Sequence, residues 1–228
     1  MSVPEGRIQV IVLDVNETLS DMAPMSRRFA EIGAPELAAK VWFASLLRDG
    51  FALTASAAYE HFAALGEGAL RSVLAGFTLN RDIDHAVAHV MEGFGSLDVH
   101  PDVVDGVPRL RAAGLRLITL TNGSTDVADR LLTKAGVRDQ FEQVLSVDSP
   151  RVWKPGARAY QYAAQTCGVP VDRMLLVAVH PWDIDGAARA GMRTAWIDRA
   201  GAPYPAYFTT PELTVTALTE LVEQLTAG

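Results

Sequence analysis

Polar residues follow three apolar, strand-like stretches of this sequence, at the point where each stretch ends. They are Asp14, Asn16 and Glu17 after the first stretch, Thr121 and Asn122 after the second, and His180 and Asp183 after the third. In an open sheet of parallel strands, ligands bind at the edge where the carboxyl ends of the strands meet. We therefore expect a nucleophile, a base and anion-binding groups to come together at that edge.

A cation is expected at the same edge. Lys154 lies in a Lys-Pro loop within VWKPGARAY, at residues 152–160, directly before a predicted helix. A lysine in such a loop is most often a solvated surface residue. Several carboxylates gathered at one buried edge, however, need a fixed positive charge to stay ionised. We therefore interpret Lys154 as the cation that holds the carboxylates together.

Strands and helices alternate along the chain in a pattern that predicts a doubly wound α/β fold with a parallel sheet. Apolar runs of strand length lie at 8–13, 115–120, 142–146, 174–179 and 193–197. Helices are predicted at 102–113, 124–136, 156–167, 183–190 and 213–226.

The segment from residue 20 to residue 96 lacks strand alternation and is predicted to form several helices. Helices are expected at 34–49 and near 54–65. This pattern divides the chain into a core domain, residues 1–19 and 97–228, and a small inserted helical cap, residues 20–96. Trp42, Phe43 and Leu47 lie on one face of the first cap helix, and Phe62 follows on the next.

Composition narrows the class of function. The chain has 228 residues and a net charge of -7, with an isoelectric point near 5.2. An acidic surface disfavours nucleic acid and acidic membrane surfaces as partners. A single cysteine, Cys167, excludes an intrachain disulfide framework and suits a reducing cytoplasm. No apolar stretch has the length of a signal core or a membrane span, so we expect a cytoplasmic protein.

Four motifs together resemble those of the haloacid dehalogenase superfamily, in order and spacing. They are VIVLDVNET, LRLITLTNGS, VWKPGARAY and RMLLVAVHPWDIDGA, and the resemblance covers residues 8–198. It implies a Rossmann-like core with a small helical cap inserted between the first two motifs.

Two departures from the superfamily's phosphatases are informative. Asn16 stands where those enzymes place a second acid, and Val179 stands where they place a magnesium ligand. A hard cation needs oxygen ligands, and an amide cannot protonate a leaving alkoxide. The pattern instead resembles the type II 2-haloacid dehalogenases, which implies that neither a metal nor an organic cofactor is needed.

The resemblance implies a role for most of the motif residues. Asp14 displaces halide from a small 2-halocarboxylate substrate and forms an aspartyl ester. Thr121, Asn122 and Lys154 bind the substrate carboxylate. Asp183 positions Lys154 and the hydrolytic water. His180 and Glu17 are assigned from the residues themselves, because His180 replaces a small polar residue that is more common in the family. The two are expected to converge in the same crevice, where His180, whose unperturbed pKa is about 6.5, would activate water and Glu17 would orient the imidazole. A purely structural hydrogen bond between them is the alternative. These seven residues form the predicted catalytic set.

A substrate pocket is predicted around them. Its expected lining residues are Val15, Asn16, Trp42, Phe43, Leu47, Phe62 and Trp182. An aromatic stripe on a helix more often belongs to a core than to a pocket, but the resemblance places this helix over the nucleophile. Many haloacid dehalogenases have a halide-binding arginine where this chain has Phe43. The halide is therefore left to Asn16, Asn122, Trp182 or the His180 imidazolium.

Two alternatives remain open at this point. A magnesium phosphatase would need a replacement acid, for which Asp185 is the nearest candidate, although it faces away from Asp183 on a helix. A ligand-binding relative without turnover is the other. His85 and His89 are spaced to clamp a metal but have no third ligand in view, so surface roles are favoured. A homodimer is compatible with the sequence.

Overall fold

The chain divides into two compact units, each with its own set of elements. The computed structural model describes residues 8–226, so the N-terminal residues 1–7, included in the prediction of no signal core, lie outside the described residues. One unit comprises residues 8–20 and 99–226, and the other comprises residues 21–98. The division predicted from the sequence lies close to these boundaries.

The first unit contains a six-stranded parallel sheet with the strand order β3-β2-β1-β4-β5-β6. This is the order of the doubly wound Rossmann-like folds, so the predicted fold class is confirmed. The strands are β1 Val10–Leu13, β2 Arg116–Thr121, β3 Gln143–Ser146, β4 Met174–Ala178, β5 Arg193–Ile197 and β6 Leu213–Val215.

Helices cover both faces of this sheet and make up the second unit. In the second unit they are α1 Pro24–Ala30, α2 Ala38–Ala55, α3 Phe62–Leu74 and α4 Ile83–Gly95. In the first unit they are α5 Pro101–Ala112, α6 Thr125–Lys134, α7 Ala157–Cys167, α8 Pro181–Arg189 and α9 Leu218–Thr226. Two short 3-10 helices, Arg138–Gln140 and Val171–Arg173, precede β3 and β4. No helix among residues 8–226 is long and apolar enough to cross a membrane.

The central strand β1 is buried on both faces, as expected of a parallel sheet with helices on either side. Ile11 and Leu13 pack in one hydrophobic layer, whereas Val10 and Val12 pack in the other. Leu13 is paired with a residue of β2 on one side and of β4 on the other. The loops that follow these three strands therefore leave the sheet at one edge.

Two predicted helices differ from those observed. Helix α2 continues to Ala55, and Ala57 adopts a left-handed backbone (φ 58°) that separates α2 from α3, so no helix spans 54–65. The predicted helix at 213–226 is a strand, β6, followed by α9. Between the two elements the Thr216 N–H and hydroxyl both donate to the Glu220 carboxylate, and Asp102 Oδ2 accepts from the Leu218 N–H at the first residue of α9.

Candidate active site

A buried lysine joins two carboxylates at the carboxyl edge of the sheet. Lys154 Nζ donates to Asp14 Oδ1 at 2.8 Å and to Asp183 Oδ2 at 2.6 Å. The side chains of Lys154 and Asp183 are 0% exposed, and that of Asp14 is 4% exposed. The structure therefore brings together three residues that lie in three different motifs of the sequence.

The opposite charges of Asp14 and Lys154 each stabilise the ionised form of the other. Burial alone would raise the pKa of Asp14, but the charges and hydrogen bonds of Lys154 and His180 outweigh burial and hold that pKa well below its usual range. Burial would likewise lower the pKa of Lys154, yet its two carboxylate partners raise it. Asp14 is thus an ionised carboxylate at neutral pH, which is the form that can act as a nucleophile.

The second oxygen of Asp14 is held by Thr18, a residue that the sequence did not single out. Thr18 Oγ1 donates to Asp14 Oδ2 at 2.6 Å and accepts from the Val179 N–H at 3.1 Å. The turn after β1, in which the Leu19 N–H donates to the Val15 carbonyl, carries Thr18 back to Asp14. Donors on both oxygens therefore fix the plane of the carboxylate.

His180 lies between two carboxylates. Its Nε2 is 2.8 Å from Glu17 Oε2, and its Nδ1 is 3.4 Å from Asp14 Oδ2. The Trp182 ring stacks on the imidazole with the ring centroids 4.9 Å apart. The predicted meeting of His180 and Glu17 is thus observed, although their role in catalysis remains a prediction.

The charge state of His180 differs from the sequence-based expectation of an unperturbed group. Burial opposes protonation, but hydrogen bonds and charges of Asp14 and Glu17 prevail and raise the pKa of His180 to about 9. At neutral pH the free protein therefore carries an imidazolium between two carboxylates, rather than a neutral base.

Glu17 reaches His180 from a strained backbone. Its φ is 62°, in the left-handed region that side chains other than glycine rarely adopt. Such a conformation costs on the order of 1–3 kcal/mol and persists only where the surroundings hold it, most often at functional sites. The strain supports a functional interpretation of Glu17 over that of a solvated turn residue.

Asp183 has a second partner that the sequence did not indicate. Tyr160, in α7, donates from its hydroxyl to Asp183 Oδ1 at 2.6 Å. Burial, together with the Asp183 charge, raises the pKa of Tyr160 well above 10, so the hydroxyl stays protonated and remains a donor. Gly186 permits this packing, since a Cβ there would lie 2.7 Å from the Tyr160 hydroxyl and 2.5 Å from Pro155 Cβ.

The Asn122 side chain binds the backbone of Lys154 through both of its polar atoms. Its Oδ1 accepts from the Lys154 N–H at 2.8 Å, and its Nδ2 donates to the Lys154 carbonyl at 3.2 Å. Thr121 Oγ1 accepts from the Gly123 N–H at 2.9 Å. These contacts indicate that Asn122 orients the lysine loop. Binding of a substrate carboxylate by Thr121, Asn122 and Lys154 remains a prediction.

Asn16 lies beside the same loop. A Cβ placed on Gly123 would lie 3.6 Å from Asn16 Nδ2 and 3.3 Å from Thr121 Oγ1. The absence of a side chain at Gly123 therefore leaves room beside the Asn16 amide and the Thr121 hydroxyl. The Val15 side chain packs in the hydrophobic core with Leu13, and its contact with substrate remains a prediction.

The predicted pocket residues of the helical unit, residues 21–98, pack against aromatic neighbours within that unit. Trp42 is fully buried, donates from Nε1 to the Gly66 carbonyl at 2.9 Å, and packs against Phe43 and Phe94. Phe62 stacks on Phe94 with the ring centroids 5.2 Å apart. Leu47 is half-buried. These contacts favour a core role for Trp42, and a substrate contact of any of these residues remains a prediction.

The residues at the edge of the sheet do not fit the magnesium site of a phosphatase. Asn16 and Val179 replace two acids, and the Lys154 ammonium already lies between Asp14 and Asp183. The proposed replacement acid, Asp185, binds Arg189 and Thr209 instead, at 2.8 and 2.6 Å.

The paired histidines of the helical unit have carboxylate partners of their own. His85 binds Asp82, which caps α4, and His89 Nε2 lies 2.9 Å from Glu31 Oε2. Residues 8–226 contain no group of three or more histidine, cysteine or acidic side chains arranged to hold a metal ion. The two histidines therefore contact different carboxylates.

This chain is similar in sequence to a known family of hydrolases. The family model of haloacid dehalogenase-like hydrolases matches residues 8–191. An (S)-2-haloacid dehalogenase of Pseudomonas sp. (strain YL) is 35% identical over 169 residues, which are 72% of this chain and 71% of that protein. An (S)-2-haloacid dehalogenase, H-109, of Pseudomonas putida is 29% identical over 96% of this chain and 98% of its own length.

Solved structures agree with the sequence relatives. The L-2-haloacid dehalogenase RSc1362 superposes with a TM-score of 0.90 at 28% identity, over 96% of this chain and 99% of that chain. An L-2-haloacid dehalogenase of Xanthobacter autotrophicus with chloropropionic acid covalently bound gives a TM-score of 0.85 at 25% identity, over 96% of this chain and 98% of that chain.

Proposed function

The chain belongs to the haloacid dehalogenase-like hydrolases, and we propose that it is a 2-haloacid dehalogenase that needs no metal. It converts short 2-haloalkanoic acids to 2-hydroxy acids and halide through an aspartyl ester. The observation that carries this proposal is the ionised Asp14, held between two cations in a site where a lysine lies between the carboxylates. Sequence relatives named as (S)-2-haloacid dehalogenases support the same substrate class.

The first step is an SN2 displacement at the α-carbon of the acid. An oxygen of Asp14 forms a bond to carbon as the carbon–halogen bond breaks, and halide leaves with the electron pair. In-line attack inverts the configuration at carbon. The fixed carboxylate plane supports this step, because orientation of the two reactants can supply a large share of the rate.

Ester formation changes the charge beside His180. The Asp14 ester is neutral, so the imidazolium loses one of the two carboxylates that raise its pKa to about 9 in the free protein. A lower pKa releases the proton of His180 to solvent. This proton and the halide together are the acid that the overall reaction produces, and they leave a neutral imidazole beside the ester.

Water then cleaves the ester. Neutral His180, oriented by Glu17, takes a proton from water as the oxygen attacks the carbonyl carbon of Asp14. The hydroxy acid leaves and takes the proton back from the imidazolium. Asp14 is left as a carboxylic acid, which returns its proton to His180 because its own pKa is far lower. The original charges are thereby restored.

Halide release should not depend on a divalent metal, because Lys154 supplies the positive charge beside the nucleophile. Release from 2-chloropropionate or chloroacetate should be the same in EDTA as in magnesium. Phosphate esters, assayed in parallel with magnesium, should not be turned over. A strict magnesium requirement, or efficient phosphate-ester hydrolysis, would contradict the proposal.

The covalent step predicts that Asp14→Asn abolishes halide release, since an amide is far too weak a nucleophile at carbon. In a single turnover in heavy-oxygen water, the label should enter Asp14 and not the hydroxy acid. Mass spectrometry of the Asp14 peptide and of the product measures both. If the first product molecule carries the solvent oxygen, water attacks the substrate directly and Asp14 is not the nucleophile.

Removal of the water base should separate the two steps. His180→Ala and Glu17→Gln should release about one halide per active site and then stall as the ester, because only the second step needs the base. Intact-protein mass spectrometry should show the added acyl mass. His85→Ala is the control, since this histidine binds Asp82 in the helical unit. Normal turnover of His180→Ala would remove the base role from His180.

The rate should depend on pH in two different ways. The free protein needs the imidazolium to offset the negative charge that an anionic substrate meets, so kcat/KM should fall as pH rises through about 9, where His180 loses its proton. The ester needs the neutral imidazole, so kcat should fall towards acid with a pKa below 9 when ester hydrolysis limits turnover. Rate profiles of the wild type from pH 5 to pH 10 test both changes, and the halide burst of His180→Gln, measured over the same range, should lack the fall near pH 9. If the pKa values obtained from kcat/KM and from kcat were the same, ester formation would leave the pKa of His180 unchanged.

A further inference from the structure

Glu17 and Thr18 are consecutive residues after β1, and each contacts a different proposed catalytic residue. The backbone carbonyl of each is bound by a side chain from a later part of the chain. Glu17 contacts His180, and Thr18 contacts Asp14. The Glu17 carbonyl lies 3.0 Å from His100 Nε2. The Thr18 carbonyl accepts from Arg199 Nε at 3.2 Å and from Arg199 Nη2 at 2.9 Å.

The contact of His100 constrains the strained residue directly. His100 directly precedes α5, and its own N–H donates to the Leu19 carbonyl at 2.8 Å. Ser20 Oγ accepts from the Glu17 N–H at 3.2 Å. Both polar groups of the Glu17 backbone are therefore bound, and this arrangement holds a residue whose φ is 62°. Nε2 of His100 must carry a proton, since a carbonyl can only accept.

Arg199 is itself fixed by an ion pair and by a helix. Its Nη1 and Nη2 bind the two carboxylate oxygens of Asp102 at 3.0 and 3.2 Å. Asp102 Oδ2 also accepts from the Leu218 N–H, at the start of α9, at 2.7 Å. The side chains of Arg199 and Asp102 are 17% and 15% exposed. A two-point pair of this kind fixes the direction of a guanidinium, so the Thr18 carbonyl meets a rigid donor.

We propose that His100 and Arg199 are positioning residues that act on different half-reactions, His100 through Glu17 on ester hydrolysis and Arg199 through Thr18 on ester formation. This inference rests on the proposed function of Asp14 and His180. Neither side chain touches the nucleophile or the base in these contacts. Each binds the peptide group of the residue that does.

The contacts of Glu17 and Thr18 explain why His100 and Arg199 should affect different half-reactions. The Thr18 hydroxyl bonds Asp14 Oδ2, so a displaced Thr18 backbone turns the attacking carboxylate. The Glu17 carboxylate bonds His180 Nε2 on the side of the ring away from Asp14, so a displaced Glu17 misorients the base. The nucleophile is still held by Lys154 when Glu17 moves, and the base is still held by Glu17 when Thr18 moves.

The test measures the two rate constants separately in purified variants. Rapid quenching with 2-chloropropionate gives ester formation from the first halide released, and the decay of the acyl mass on Asp14 gives ester hydrolysis. The His100 variants are His100→Leu, which has no donor, and His100→Gln, whose amide can replace the donor. The Arg199 variants are Arg199→Leu and Arg199→Lys. The matched control is Arg193→Leu, which removes an arginine of β5 that pairs with Glu212.

We expect opposite patterns from the two positions. His100→Leu should slow ester hydrolysis by about 10- to 100-fold, the size of effect known for the loss of partners that orient metal ligands, and should show a halide burst. His100→Gln should recover most of the rate. Arg199→Leu should slow ester formation by a similar factor without a burst, and Arg199→Lys should recover part of it. Arg193→Leu should keep both rate constants.

A measurement that needs no turnover tests this inference independently of the proposed function. NMR titration of His180 should give a lower pKa in His100→Leu than in the wild type, because the Glu17 carboxylate no longer meets the ring, whereas Arg193→Leu should leave it unchanged. A wild type without halide release would refute the proposed function and the half-reaction roles together, and the titration alone would then report whether His100 positions Glu17.

Three results would overturn the inference. They are unchanged rate constants in both leucine variants, an unchanged His180 titration in His100→Leu, and equal losses of both rate constants with a lower melting temperature. The last result would return His100 and Arg199 to a purely structural role.

Discussion

The buried ammonium of Lys154 is the interaction on which the rest of the site depends. Taking an ion out of water costs several kcal/mol, and removing one partner of a buried pair typically destabilises a protein by about 3–5 kcal/mol. Asp14 loses its charge during the proposed reaction. The Asp183 carboxylate, 2.6 Å from Nζ and held in turn by Tyr160, keeps Lys154 paired when that happens. This explains why two carboxylates and one lysine are buried together.

His180 repeats this arrangement on the other side of the nucleophile. Lys154 faces Asp14 and Asp183, and His180 faces Asp14 and Glu17. The two cations respond differently when Asp14 is neutralised. The pKa of Lys154 lies above its ordinary value of 10.5, so it stays charged, whereas the pKa of His180 starts at about 9. Of the two, only His180 can become a base within the physiological range of pH.

Sequence patterns predicted that Asp14 and His180 come together because both closely follow buried strands. Asp14 and His180 are at the ends of apolar runs, and parallel strands bring those ends to one edge whatever the connecting lengths. The specific use of Asn122 could not be predicted, since its partner is the backbone of a residue 32 positions away, in another loop. Thr18 and Tyr160 carry no signal in the sequence, because the turn after β1 brings the Thr18 hydroxyl back to Asp14 and only packing brings the Tyr160 hydroxyl to Asp183, 23 positions away.

The strained backbone of Glu17 places its carboxylate against His180. A glycine at this position would adopt the same backbone without cost, but it would have no carboxylate to bind His180. The chain therefore has a glutamate in an unfavourable conformation and binds its N–H and its carbonyl from Ser20 and His100. Both of these residues belong to the first unit, Ser20 as its last residue before the helical unit and His100 as its second residue after it. The orientation of the proposed water base therefore depends on Ser20 and His100 as well as on the strand that carries Asp14.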